Sequence, residues 1–110
     1  MYVSITGLRL RRWWHYPRFM MLAVPALGQA RRADGNLHVA ARTVRGVHHT
    51  LTAWRSRPQM QAYIRSGAHR VALGAFGRIA TGRTFGYESD TLPDWDEVHR
   101  RWHEHGIDYA

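Results

Sequence analysis

The 110-residue chain contains no cysteine and no lysine. Without cysteine there are no disulfides, no thiolate nucleophile and no cysteine-ligated zinc, and the redox compartment stays open. All 16 basic residues are therefore arginines, set against 8 acids, for a formal charge of +8. Such a charge raises the question of nucleic acid, but the arginines never run beyond pairs such as Arg11-Arg12 and Arg100-Arg101. No nucleic-acid signature accompanies them, so a nucleic-acid partner is not expected. The chain also lacks any run near the ~18 apolar residues needed to span a bilayer. Its longest apolar stretch, Phe19 to Leu27, is interrupted by Pro25. The N-terminus alternates instead of building a charged head and an apolar block, so no export signal is expected. These absences predict a cytoplasmic protein with no membrane partner, in one domain over 1–110.

What is present alternates clearly. Tyr2 to Leu10 reads as a strand with Val3 and Ile5 on one face and Tyr2, Ser4, Thr6 and Leu8 on the other. Pro17 suits a first helical turn, and Phe19, Leu22, Ala23, Ala26 and Leu27 give a helical stripe ending near Ala33. Pro25 removes one backbone hydrogen bond from that helix and predicts a kink. Met20, Met21 and Val24 are apolar too, so the helix is expected to bury more than one face. Asp34-Gly35-Asn36 breaks it. Leu37–Val44 and Val47–Trp54 form a hairpin around Arg45-Gly46. Ser56, Pro58 and Gln59 open a second helix as a capping box, Ser66-Gly67 interrupts it, and a third piece runs from Ala68 to about Ile79. Thr84 to Glu88 is a short fourth strand. After Leu92-Pro93-Asp94, acids first and arginines later complement the dipole of a last helix, with a stripe of Trp95, Val98, His99 and Trp102.

The order β-α-β-β-α-β plus a terminal helix predicts an α+β, ferredoxin-like fold: a four-stranded antiparallel sheet with helices on one face. The opposite face, with Val3, Ile5, Leu51 and Ala53, is then expected to lie open. An apolar face of that size predicts a homodimer through the sheet.

The first strand VSITGLRL, the RRADGNL junction and TLTAWRS followed by SGAHR resemble the dimeric α/β-barrel superfamily, including antibiotic biosynthesis monooxygenases and spheroidene-monooxygenase-like proteins. The matching pieces span most of residues 2–80. The resemblance implies a dimer and a pocket between sheet and helices in each protomer. It implies either oxidation of polycyclic aromatics without metal or cofactor, or haem binding. In the haem degraders of the group the pocket tryptophan corresponds to Trp54, but their asparagine corresponds to Thr6 and their iron-ligating histidine to Leu73. Haem degradation is therefore disfavoured, and haem remains only through a shifted ligand such as His69.

Alternation places Trp54, Thr52, Thr50 and His48 on one strand face. Trp54 serves either as the aromatic wall of a pocket or as plain core; Thr6, Thr50 and Thr52 offer hydroxyls or are ordinary strand residues. His48 and His49 point to opposite faces and cannot share a metal, since zinc needs three or four converging ligands. His49 falls with Leu51 and Ala53. His69, at the start of a helical piece, is the candidate general base for a phenolic proton, its neutral form favoured by the helix dipole; the plain alternative is a capping or surface histidine. His99, His103 and His105 have a helical chelate spacing with no completing ligand, so no metal is expected. Trp13, Trp14, His15 and Tyr16 either line the pocket mouth or pack the helix end. The leading expectation is a cofactor-independent monooxygenase on an aromatic or polyketide-like substrate, with His69 as base, Trp54 as wall, and Thr6, Thr52 and His48 around the ligand. The alternatives are a non-catalytic protein holding a small apolar ligand and a haem-binding protein.

Overall fold

A computed structural model describes residues 1–108; the last two positions of the expected 1–110 domain lie outside the described residues. The elements are β1 (Tyr2–Leu10), α1 (Tyr16–Arg32), β2 (Asn36–Val44), β3 (Val47–Trp54), α2 (Arg57–Ile64), α3 (Gly67–Ile79), β4 (Ala80–Glu88), α4 (Trp95–His105) and β5 (Ile107–Asp108), with one 3-10 turn at Trp13–His15. The strands form an antiparallel sheet in the order β2-β3-β1-β4-β5. This is the expected α+β ferredoxin-like plan, extended by β5, which pairs with β4 at Arg83 and Thr84.

Local chemistry explains most boundaries. Arg45 (φ 50°) and Gly46 (φ 79°) both adopt left-handed backbone, the tight hairpin geometry that matches strand twist. Ser56 accepts the Gln59 backbone N–H and donates to the Gln59 side-chain oxygen, closing the cap of α2. Asp94 caps α4 by accepting the Glu97 N–H at 2.8 Å. Three boundaries differ from expectation. β4 starts at Ala80 instead of Thr84: Gly82 reads as a turn signal, yet it pairs with Leu8 in mid-strand. β2 starts at Asn36, and its register shifts between Asn36 and His38, leaving Leu37 out of the ladder as an irregularity. α3 starts at Gly67 (φ 56°), one residue early.

Helices α1, α2 and α3 cover one face of the sheet. Leu8 packs there with Phe19, Leu22, Phe76 and Ile79, and Tyr2 and Trp54 pack with Met60 and Tyr63. The other face is not open. α4 lies across it, and Val98 and Trp102 pack with Val3, Ile5, Val47 and Leu51, all buried. The expectation of a bare sheet face awaiting a second copy is therefore corrected. The amphipathic last helix turns back and supplies that cover within the chain, through Val98 and Trp102. Glycine makes this docking possible: a Cβ at Gly7 would fall inside the Trp102 indole. The indole N–H donates to the Arg83 carbonyl at 3.1 Å.

α1 also departs from expectation. It buries Phe19, Leu22, Ala26 and Ala30, while Met21 and Val24 remain 69% and 55% exposed. The helix buries one face, not more than one.

Candidate functional site

Between the sheet and helices α1–α3 lies a cavity of about 260 Å³. Its floor follows from strand register. Thr6 on β1 stands between Thr50 on β3 and Thr84 on β4, and Ser4 stands beside Thr52 one step along the same face. Alternation therefore aligns five hydroxyls across three strands. Thr52 accepts from the Trp54 indole N–H at 2.9 Å, and Thr84 donates to the Ile5 carbonyl at 3.2 Å. Ser4, Thr6 and Thr50 present theirs to the cavity.

The walls are apolar: Phe19, Ala23 and Leu27 from α1, Met60 and Ile64 from α2, Leu73 and Phe76 from α3. No side chain of the lining carries a formal charge, and its only two titratable groups are Tyr63 and His69. The Tyr63 hydroxyl donates to the Ala26 carbonyl at 2.8 Å, and burial pushes its pKa well up, so it stays a neutral phenol. His69 is the proton acceptor that remains. Its Nδ1 lies 3.2 Å from the Ile64 carbonyl, which can only accept, so Nδ1 carries the hydrogen and Nε2 keeps its lone pair. Burial lowers the His69 pKa from its usual value, and the Ile64 bond opposes this in part. The expected cause was the helix dipole; desolvation is the cause the geometry supports. The ring sits edge-on to Tyr63 at 4.6 Å, and its backbone N–H donates to Gln29 Oε1 at 3.0 Å. Gln29, from α1, also donates to the Ser66 carbonyl, so it caps the α3 start across helices.

His69, Thr6 and Thr52 thus line one cavity; Trp54 and His48 do not. Trp54 is fully buried one layer back, stacked on Tyr63 with ring centroids 5.1 Å apart. The wall expected of Trp54 is Tyr63, which stands between it and the cavity. His48 lies at the far end of the face, behind Phe19 at 4.9 Å, with Nδ1 against Thr43 Oγ1 at 2.9 Å. It belongs to a separate surface hollow with Trp13 and Tyr16. Ser4, Tyr63 and Thr84 escaped the sequence reading. The alternation of β1 already placed Ser4 beside Thr6, and Tyr63 follows Met60 at i+3, whereas Thr84 needed the register of β4.

His49 does face away from His48. It is buried against α4, its Nδ1 3.0 Å from the Thr6 carbonyl and its Nε2 2.9 Å from His99 Nδ1. His99 is thus engaged through Nδ1 with His49, while His103 one turn on is exposed.

At about 260 Å³ the cavity is smaller than the ~300–1,000 Å³ usual for drug-sized ligands, and Leu73, which the resemblance equates with the haem degraders' iron-ligating histidine, carries no metal-binding atom, while His69 stands in the same lining.

Neither a protein-family model nor a curated protein matches the sequence. Solved structures match clearly. An antibiotic biosynthesis monooxygenase-like protein from Nitrosomonas europaea superimposes with a TM-score of 0.74 at 14% identity, covering 83% of this chain and 100% of that one. SnoaB, a cofactor-independent oxygenase from Streptomyces nogalater, gives 0.69 at 10% identity over 84% and 97%. Rv0793 from Mycobacterium tuberculosis gives 0.73 at 13% identity over 86% and 100%. The chain has the fold of the antibiotic biosynthesis monooxygenase-like proteins, and at these identities the likeness is one of fold.

Proposed function

We propose that this chain, which shares its fold with antibiotic biosynthesis monooxygenase-like proteins, is a cofactor-independent monooxygenase acting on a small, uncharged, hydroxylated aromatic. The observation that carries the reading is His69: a neutral imidazole with its tautomer set by the Ile64 carbonyl, in a lining with no formal charge. SnoaB, a cofactor-independent oxygenase of the same fold, supports the reaction type. The cavity size favours one or two rings over a large polyketide.

In this reading the ring oxygens of the substrate accept hydrogen bonds from Ser4, Thr6 and Thr50. His69 Nε2 removes the hydroxyl proton, and the resulting anion is the reductant that dioxygen needs. A carbon–oxygen bond forms at a ring carbon bearing hydrogen, giving a hydroperoxide. Its O–O bond then breaks as that carbon loses its hydrogen, leaving a carbonyl and water. One oxygen atom stays in the product, the other leaves as water with two substrate hydrogens, and His69 returns its proton.

Metal-stripped protein incubated with hydroxylated one- and two-ring aromatics, followed by oxygen uptake, tests this. His69→Ala should lower kcat by roughly 10²–10⁴-fold, the usual worth of a general base. Undiminished turnover in that variant refutes the assignment. The preponderance of apolar lining supports a second reading, a non-catalytic binder of apolar ligands. It predicts saturable binding with no oxygen consumed by any substrate of the series.

A further inference from the structure

Charge in this chain is divided along the sequence in a way that the fold turns into two sides. Seven of the eight acids lie between Glu88 and Asp108, in and around α4; the only other is Asp34. Fourteen of the sixteen arginines precede Glu88. Because α4 packs on one sheet face and α1–α3 on the other, acid is gathered on the α4 side, and the helical layer is left strongly basic.

That basic layer carries the most conspicuous apolar surface of the described residues. Trp13 is 83% exposed, and Trp14, Met20, Met21 and Val24 are also open to solvent. On α1, Pro17, Met20, Met21, Val24 and Gly28 recur at i, i+3, i+4, i+7 and i+11, a second stripe on the side away from the buried one. Arg12, Arg18, Arg31 and Arg32 stand exposed along the same segment, and no acid occurs before Asp34. A soluble helix ordinarily has charge where this one has methionine and valine.

We propose that the Trp13–Val24 face is a docking surface for an anionic lipid bilayer. Tryptophan settles at the headgroup level, methionine and valine reach the acyl boundary, and arginine pairs with lipid phosphates while its stem stays in the apolar zone. The absence of a spanning segment says nothing against this, because an interfacial helix lies in the plane of the surface. Charge selects the partner. A second copy would bring like charge to like charge, and a nucleic acid would leave the aliphatic stripe without a counterpart, whereas an anionic bilayer satisfies both. The stripe also borders the cavity: Met20 and Val24 each stand at i,i+3 to a lining residue, Ala23 and Leu27 respectively. An apolar compound dissolved in the bilayer would meet the protein on that flank. The proposal is independent of any reaction in the cavity.

Co-sedimentation of the full chain with phosphatidylcholine vesicles, with and without phosphatidylglycerol, tests it. Binding should appear with phosphatidylglycerol, weaken as salt rises, and bring Trp13 and Trp14 within quenching range of brominated acyl chains. The quadruple variant W13S/W14S/M21S/V24S keeps every arginine and alters only exposed side chains, so its thermal unfolding should be unchanged. Its partition constant should fall by about tenfold or more, the scale expected when the apolar face is lost. Binding that survives in this variant would overturn the proposal in favour of charge attraction alone. No binding to phosphatidylglycerol vesicles would also overturn it, as would a single-stranded oligonucleotide or a second copy of the chain occupying the face in their absence.

Discussion

Gly7→Ala is the sharpest test of the docking of α4. Gly7 sits in mid-β1, opposite His49 on one side and Arg83 on the other. An added Cβ would overlap the Trp102 indole at Nε1 and Cε2 and lie 2.8 Å from Cδ1, inside the closest approach real Cβ atoms make. Trp102 is 5% exposed and hydrogen-bonded to the Arg83 carbonyl, so it has nowhere to move without unpacking. If the ring only shifts, overpacking costs about 1–3 kcal/mol. If it undocks, the loss approaches the ~3–5 kcal/mol of a Trp→Ala replacement. The discriminating measurement is the double mutant. With Trp102 already replaced by alanine the overlap is gone, and Ala exceeds Gly in a strand by roughly 0.5–1 kcal/mol. Gly7→Ala should therefore destabilise the parent protein and stabilise the Trp102→Ala background. Urea midpoints with unchanged m-values, followed by far-ultraviolet circular dichroism, would read this sign change. The same sign in both backgrounds refutes the placement of α4 on this face.

Burial lowers the pKa of His49 below its usual 6.5, with His99 and the Arg9 charge adding to the effect and the Thr6 carbonyl opposing it. The unfolded chain then takes the proton first, so His49 contributes full stability above about pH 6.5 and loses it as pH falls through its lower folded value. Urea midpoints at pH 7.5 and 5.5 should differ more for the parent than for His49→Asn; equal differences would exclude the contribution. His69 is lowered in the same direction, so the acid limb of any turnover should lie below pH 6.5, and a limb above it would contradict a buried neutral base. Trp54→Phe removes the N–H donated to Thr52 and should cost about 0.5–1.5 kcal/mol in thermal unfolding, while ligand affinity in the cavity stays unchanged because Trp54 is not on its surface. Tyr63→Phe leaves the buried Ala26 carbonyl without its donor and should cost roughly 1–3 kcal/mol by the same assay.

Residue alternation carried the site's floor into view early. Period-two spacing in β1 and β3 places Thr6, Thr50 and Thr52 on one face and His49 on the other, whatever packs above them. The base candidate was legible for a related reason, since Ser66-Gly67 forces a break and sets His69 on the first turn after it. Its tautomer was not legible, because the Ile64 carbonyl that sets it comes from the end of the preceding helix. Trp54 shows the limit most plainly. Its face was readable, but its depth was not, because Tyr63 stacks between it and the cavity only once α2 is docked. The β4 boundary was hidden by Gly82, whose local preference is overridden by pairing with Leu8.

By itself, then, the sequence determined the element order as far as α4, the two faces of each central strand, the caps of α2 and α4, and the division of charge between the first 87 residues and the rest. These depend on neighbours a few positions apart, where backbone periodicity and local hydrogen bonding decide. Tertiary structure alone decided which layer covers each face: that α4 seals the sheet, that Tyr63 and not Trp54 walls the cavity, and that one apolar stripe of α1 meets solvent. Amphipathic elements state what must be covered but not by what, and the answer depends on contacts far apart in the chain, such as Gly7 with Trp102.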